Sequence, residues 1–244
     1  MTSFIDLPQT ANDPFARLTL SSRHTGVPDA FALPFDVQVF SEDDFARYGI
    51  SRPPSILRSV PKRQAEYLAG RRVALAALEA AGHTAQDLAI TDSRAPAWPQ
   101  GYIGSLSHAV GLAVAVAMRP TADVRGIGID IEQVIPPGQL PAVESSVIDN
   151  NERSALAPLA SAMGWPFALT VAFSAKESFY KATAATVGRF FDFTALRIAA
   201  CDMEAGCLDA RVVEDLAPSL PARHRQRLYW QSLPGGMVLT HCIC

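Results

Sequence analysis

Gly126-Ile127-Gly128-Ile129-Asp130-Ile131-Glu132 is the stretch from which the rest of the chain is read. Isoleucine fills every second position, the alternation of a β-strand whose side chains leave by opposite faces. Ile127, Ile129 and Ile131 share a face expected to be buried, and Asp130 and Glu132 share the other. Two carboxylates on one face repel each other unless a cation or a base lies between them. A hard divalent ion such as Mg²⁺ is one resolution, since it takes oxygen ligands and is commonly held by one or two carboxylates with phosphate and water. A solvated edge strand with both acids facing water is the competing reading. The glycines do not make a dinucleotide-binding fingerprint: Ile131 stands where the next glycine belongs, and the acids lie within the strand instead of beyond a helix.

Around this strand the chain alternates helical and extended patterns. Residues 1–34 show no sustained period and are expected to be an irregular leader. A strand is expected at 37–40, a helix over 59–80 ending at Gly82, extended segments at 102–108 and 111–118, and the strand 126–132 completing a small sheet. Pro and Gly concentrate in 136–141, which reads as the linker between two halves. Beyond it, 143–159 and 167–186 read as helices, followed by strands at 195–201, 208–214, 228–233 and 237–244, with Pro234-Gly235-Gly236 as a hairpin turn. The expectation is an α+β protein with a leader (1–34), an N-terminal α+β lobe (35–135) and a C-terminal α+β lobe (136–244).

The 244 residues are about half apolar, enough for one substantial core or two coupled smaller ones. A net charge of −3, with no run of Lys and Arg interleaved with aromatics, excludes nucleic acid as the expected partner. The N-terminus, with Asp6 and Asp13, lacks the basic and apolar blocks of an export signal, and no apolar run is long enough to span a bilayer. Cys201, Cys207, Cys242 and Cys244 read as strand residues rather than a metal knuckle, and the expected compartment is the cytoplasm.

Three further groups carry candidate chemistry. Glu177 and Lys181, four apart in a predicted helix, share one face. Alone they are an ordinary surface pair worth about 0.2–0.5 kcal/mol; beside Asp130 and Glu132 they offer a third carboxylate and an ammonium for phosphate charge. Ser107 and His108 are adjacent on a strand and so point to opposite faces, which suits phosphate binding better than a nucleophile and its base. A structural histidine is the alternative. Arg63 and Arg71, eight apart on one helix and joined by Lys62, can bind phosphate bidentately, with Glu66 on the same side; a solvated basic face competes.

Taken in order, Gly104-Ser105-Leu106-Ser107-His108, then Gly128-Ile129-Asp130-Ile131-Glu132, then Lys176-Glu177-Ser178-Phe179-Tyr180-Lys181 resembles the surfactin-type and enterobactin-type 4′-phosphopantetheinyl transferases. The blocks Lys62-Arg63-Gln64-Ala65-Glu66-Tyr67-Leu68-Ala69-Gly70-Arg71 and Arg94-Ala95-Pro96-Ala97-Trp98-Pro99 resemble the enterobactin-type subgroup, so the likeness runs from about Ile56 to Lys181. Many members carry Trp where this chain has Phe173.

The resemblance implies two similar α+β lobes related by a pseudo-twofold axis, an active site in the cleft between them, and a monomer. It implies transfer of 4′-phosphopantetheine from coenzyme A to a serine of an acyl or peptidyl carrier protein. Asp130, Glu132 and Glu177 would hold Mg²⁺, Glu177 would act as base, and Lys181 would assist the departing phosphate. Ser107 and His108 would contact phosphate, and Arg63, Arg71 and Arg94 the adenosine bisphosphate. Arg153 and Lys176 are candidates to receive an acidic carrier. A non-catalytic coenzyme A or carrier-binding module, or another Mg²⁺-dependent phosphotransferase, are the rival readings.

Overall fold

The computed structural model describes residues 14–21, 26–91 and 95–244. The chain divides into two compact units, Met1–Asp123 and Val124–Cys244.

In the first unit, β1 (Ala16–Leu18), β2 (Ala30–Pro34), α1 (Asp43–Arg47), α2 (Pro54–Leu57), α3 (Pro61–Ala80), β3 (Ile103–Ala109) and β4 (Leu112–Met118) follow one another. The strands form an antiparallel sheet in the order β1-β2-β4-β3. Helix α3 starts with Pro61, whose missing N–H falls where the first turn has no use for it. It packs on β4, where Ala69, Val73 and Ala77 meet Ala113, Ala115 and Ala117. Small residues on both sides bring helix and sheet close together, and every residue of β4 is buried.

The second unit contains β5 (Ile127–Gln133), α4 (Leu140–Val147), α5 (Asn150–Ala155), α6 (Ala157–Met163), α7 (Trp165–Val187), β6 (Leu196–Asp202), β7 (Cys207–Val212), β8 (Arg225–Leu233) and β9 (Met237–Ile243). The strands form an antiparallel sheet in the order β5-β9-β8-β7-β6. Helix α7 lies on β5 and β9. Val171, Ala175 and Phe179 of the helix share one apolar cluster with Leu196, Ile198, Leu208, Leu228 and Val238 of the sheet. Each unit, taken by itself, is a long helix on an antiparallel sheet, the α+β class expected.

Several local expectations are corrected. The described part of the leader is ordered: Ala16 and Leu18 are buried on either side of exposed Arg17, and β2 joins the sheet. The strand expected at 37–40 is absent because Asp36 turns the chain, its Oδ1 accepting the Gln38 N–H at 2.8 Å. The strand β5 pairs with β9 and so belongs with the second unit, not with the first as the boundary at 135/136 had it. The Pro- and Gly-rich segment 136–141 is not a linker but a single 3₁₀ turn, Pro137–Gln139, leading into α4. The helix expected over 143–159 is broken at Ile148, which is extended, and at Asp149, which caps α5 through a reciprocal bond with Glu152.

Candidate functional site

The acidic strand is decided by glycine. A Cβ at Gly128 would overlap the Ser178 carbonyl oxygen, and one at Gly126 would overlap that of Ala182, so the bare backbone of β5 lets α7 settle directly upon it. Glycines and acids alternate onto this same face. The helix therefore covers the acidic face instead of leaving it to solvent, and Asp130 is only 2% exposed. The reading of a solvated strand fails on this point.

Each Asp130 oxygen has a partner from α7. Lys181 Nζ donates to Oδ1 at 2.6 Å and Ser174 Oγ to Oδ2 at 2.7 Å. Lys181 also donates to the Ile129 carbonyl at 3.3 Å. Glu132, two residues on and half-buried, is pushed up to about 7 by burial and by the charge of Asp130, with Glu177 adding in the same direction and Lys181 opposing. Glu177 is raised likewise, first by burial and then by Asp130. Asp130, Glu132, Glu177 and Lys181 are thus brought together as one electrostatic group.

Among the described residues, no three His, Cys, Asp or Glu side chains stand as a group that could hold a metal ion. The acids form a charge cluster, not an assembled coordination shell. Their donor chemistry nevertheless suits a hard cation. Glu132 and Glu177, their proton affinities raised first by burial and then by the charge of Asp130, gain from any divalent charge set beside them.

In the first unit, Arg63 Nη1 donates to His108 Nε2 at 2.9 Å and to Glu66 Oε2 at 3.4 Å. A guanidinium can only donate, so Nε2 is the acceptor and the proton of the neutral ring sits on Nδ1. That nitrogen faces Glu66 Oε2 at 3.9 Å. Ser107, the next residue along β3, is buried on the other face. Gly104 belongs to the same strand, and the Trp98 ring lies where its Cβ would be, which explains the Ala97-Trp98-Pro99 block as packing.

Arg71 is placed differently from Arg63. It is 2% exposed, its guanidinium lies over the Tyr67 ring at 4.7 Å, and its Nε has no hydrogen-bond partner among the described residues. A buried guanidinium with no ion pair among the described residues suits an anionic ligand. Arg94 lies outside the described residues.

Two expectations about a docking surface change. Lys176 is 2% exposed and pairs with Glu152, so it cannot face a partner. Arg153 is half-exposed but engaged by Glu144 and by the Trp165 ring, 4.1 Å from the guanidinium carbon. Ser174 and Thr240 escaped notice in the sequence. The signal for Thr240 was a hydroxyl directly after the apolar run Met237-Val238-Leu239, on a strand, β9, that is buried throughout.

Residues 53–118 match the family described as the 4′-phosphopantetheinyl transferase N-terminal domain. Residues 126–227 match the 4′-phosphopantetheinyl transferase superfamily. The chain is 40% identical over 148 residues to enterobactin synthase component D of Salmonella typhi, covering 61% of this chain and 59% of that one. To the protein of the same name in Shigella flexneri it is 33% identical over 168 residues, covering 67% and 77%. To 4′-phosphopantetheinyl transferase Svp of Streptomyces mobaraensis it is 38% identical over 162 residues, covering 65% and 63%. The match thus spans less than two thirds of the Salmonella relative. No helix among the described residues is long and apolar enough to cross a membrane.

Proposed function

The chain belongs to the 4′-phosphopantetheinyl transferase superfamily, and from that premise we propose that it transfers 4′-phosphopantetheine from coenzyme A to a serine of an acyl or peptidyl carrier protein. The observation that carries this reading is the convergence of Asp130 and Glu132 from β5 with Glu177 and Lys181 from α7. Three carboxylates and an ammonium in one partly buried group are equipment for moving a phosphate ester.

Asp130, Glu132 and Glu177 would hold Mg²⁺, which would supply positive charge to the coenzyme A diphosphate. Glu177 takes the proton from the carrier serine hydroxyl, a task that its raised proton affinity favours. The serine oxygen forms a bond to the β-phosphorus, and the bond from that phosphorus to the bridging oxygen breaks. Lys181 donates to the departing oxygen, leaving adenosine 3′,5′-bisphosphate and the holo carrier. For this, the Lys181 ammonium must exchange its contact with Asp130 for one with substrate. Arg63, Arg71, Arg94, Ser107 and His108 would bind the phosphates of the adenosine bisphosphate portion. We also infer a cytoplasmic location and a monomer; four cysteines that form no disulfide suit a reducing compartment.

Incubating the chain with coenzyme A, Mg²⁺ and an apo carrier, followed by intact mass measurement, tests the reading. Mass gain equal to one phosphopantetheine is expected, across a panel of carriers if the chain is promiscuous. Absence of any gain with every carrier removes the proposal. Asp130→Ala should abolish the gain while leaving a folded protein, and normal turnover by that variant removes the metal assignment.

A further inference from the structure

Behind Asp130 lies a buried row of hydroxyls that the proposed chemistry does not use. Thr240 of β9 is the direct cross-strand neighbour of Asp130, so both side chains leave the sheet on one face. Ser174 and Ser178, one turn apart on α7, point into the same place. All three hydroxyl residues are fully buried. Ser174 Oγ is 2.8 Å from Thr240 Oγ1, which is 2.7 Å from Ser178 Oγ.

Counting hydrogens fixes the direction of this chain. A hydroxyl has one proton to donate, and an ionised carboxylate only accepts. Ser174 gives its proton to Asp130 Oδ2. Thr240 must therefore donate to Ser174, and Ser178 to Thr240. The three O–H dipoles run head to tail toward the carboxylate, an arrangement in which each bond polarises the next. Alanine and valine would fill the helix–sheet contact without the desolvation cost of three hydroxyls. Packing alone does not account for them.

We propose that Thr240 and Ser178 are positioning residues for Asp130. Through Ser174 they tie Oδ2 to the protein interior and leave Oδ1, now held by Lys181, as the oxygen presented to a divalent cation. This rests on the proposed function, and it adds residues from a strand and a helix face that touch neither substrate nor metal.

The test uses the full chain with coenzyme A present and Mn²⁺ as a spectroscopically visible divalent probe, free Mn²⁺ being counted by electron paramagnetic resonance. Thr240→Val keeps the shape and removes the donor. It should weaken Mn²⁺ binding about 10–100-fold, the usual effect of losing an outer-shell partner. The Mg²⁺ concentration for half-maximal transfer should rise in parallel, with the urea midpoint of the metal-free protein held. Thr240→Ser should restore both. Should Thr240→Val fold poorly, Ser178→Ala removes the far donor with little change in volume and should weaken Mn²⁺ binding in the same direction. Unchanged Mn²⁺ affinity in the folded variants overturns the inference, as does a loss that Thr240→Ser fails to restore. If the wild-type chain transfers phosphopantetheine while Thr240→Val binds Mn²⁺ normally, only the inference falls. A wild-type chain that neither transfers nor binds Mn²⁺ removes the proposed function with it.

Discussion

Lys176 Nζ sits 2.7 Å from Glu152 Oε1, an ion pair whose side chains are only 1% and 5% exposed. Its charges are fully surrounded. Lys176 also donates to the Val147 and Phe193 carbonyls, and Glu152 accepts from the backbone N–H groups of Ile198 and Asp149. Burial pulls the lysine below its ordinary range while Glu152 holds it up. The pair joins α5, α7 and β6 one residue before Glu177.

Lys176→Met should therefore act on stability before activity. It leaves the Glu152 carboxylate buried without its cation, at a cost of about 3–5 kcal/mol. Urea unfolding should report a lowered midpoint, and carrier affinity of the remaining folded protein should be unchanged. A change in carrier affinity without loss of stability would return Lys176 to the surface role it was first assigned.

Stability of the metal-free protein should fall as pH rises through the range set by Glu132. Its folded value, about 7, is above the unfolded 4.5, so the folded state holds the extra proton between them. The contribution is fully present below about pH 4.5 and lost as pH passes about 7. Glu177 shifts in the same direction. Thermal melts across this range should show the slope, reduced in Glu132→Gln. A slope identical in that variant would contradict the assignment.

Gly128→Ala should damage the site through its frame. The added methyl meets the Ser178 carbonyl, so α7 must lift from β5. Overpacking of this kind costs about 1–3 kcal/mol, and here it also separates Asp130 from Lys181 and Ser174. Unfolding midpoint and transfer rate should fall together. Full activity in this variant would show that the helix can shift without disturbing the acids.

Arg71→Met should separate binding from stability. Among the described residues, the Arg71 guanidinium lies over the Tyr67 ring and its Nε has no hydrogen-bond partner. An apolar side chain of similar reach removes the desolvation cost of a buried charge, so the substitution should be neutral or stabilising. The variant should melt no lower than wild type without coenzyme A and gain less when coenzyme A is added. Equal gains in the two proteins would remove Arg71 from the phosphate contacts.

The features legible in the chain alone were local and periodic. Alternation marked β5, helical spacing marked α3 and α7, and i,i+4 placement put Glu177 with Lys181, because these patterns follow from backbone geometry alone. Tertiary structure decided what each pattern faces. Asp130 is buried, not solvated, because Gly126 and Gly128 admit α7; the sequence displays those glycines but not the helix that needs them. Lys176 and Lys181 look alike in the motif, yet one closes a buried pair with Glu152 and the other reaches Asp130, since a few residues of helix rotate them toward different neighbours. Strand β5 pairs with β9 from the far end of the chain, and only that pairing brings Thr240 opposite Asp130. Partners separated by a hundred residues leave no mark on local periodicity, and here they are what surrounds the acid.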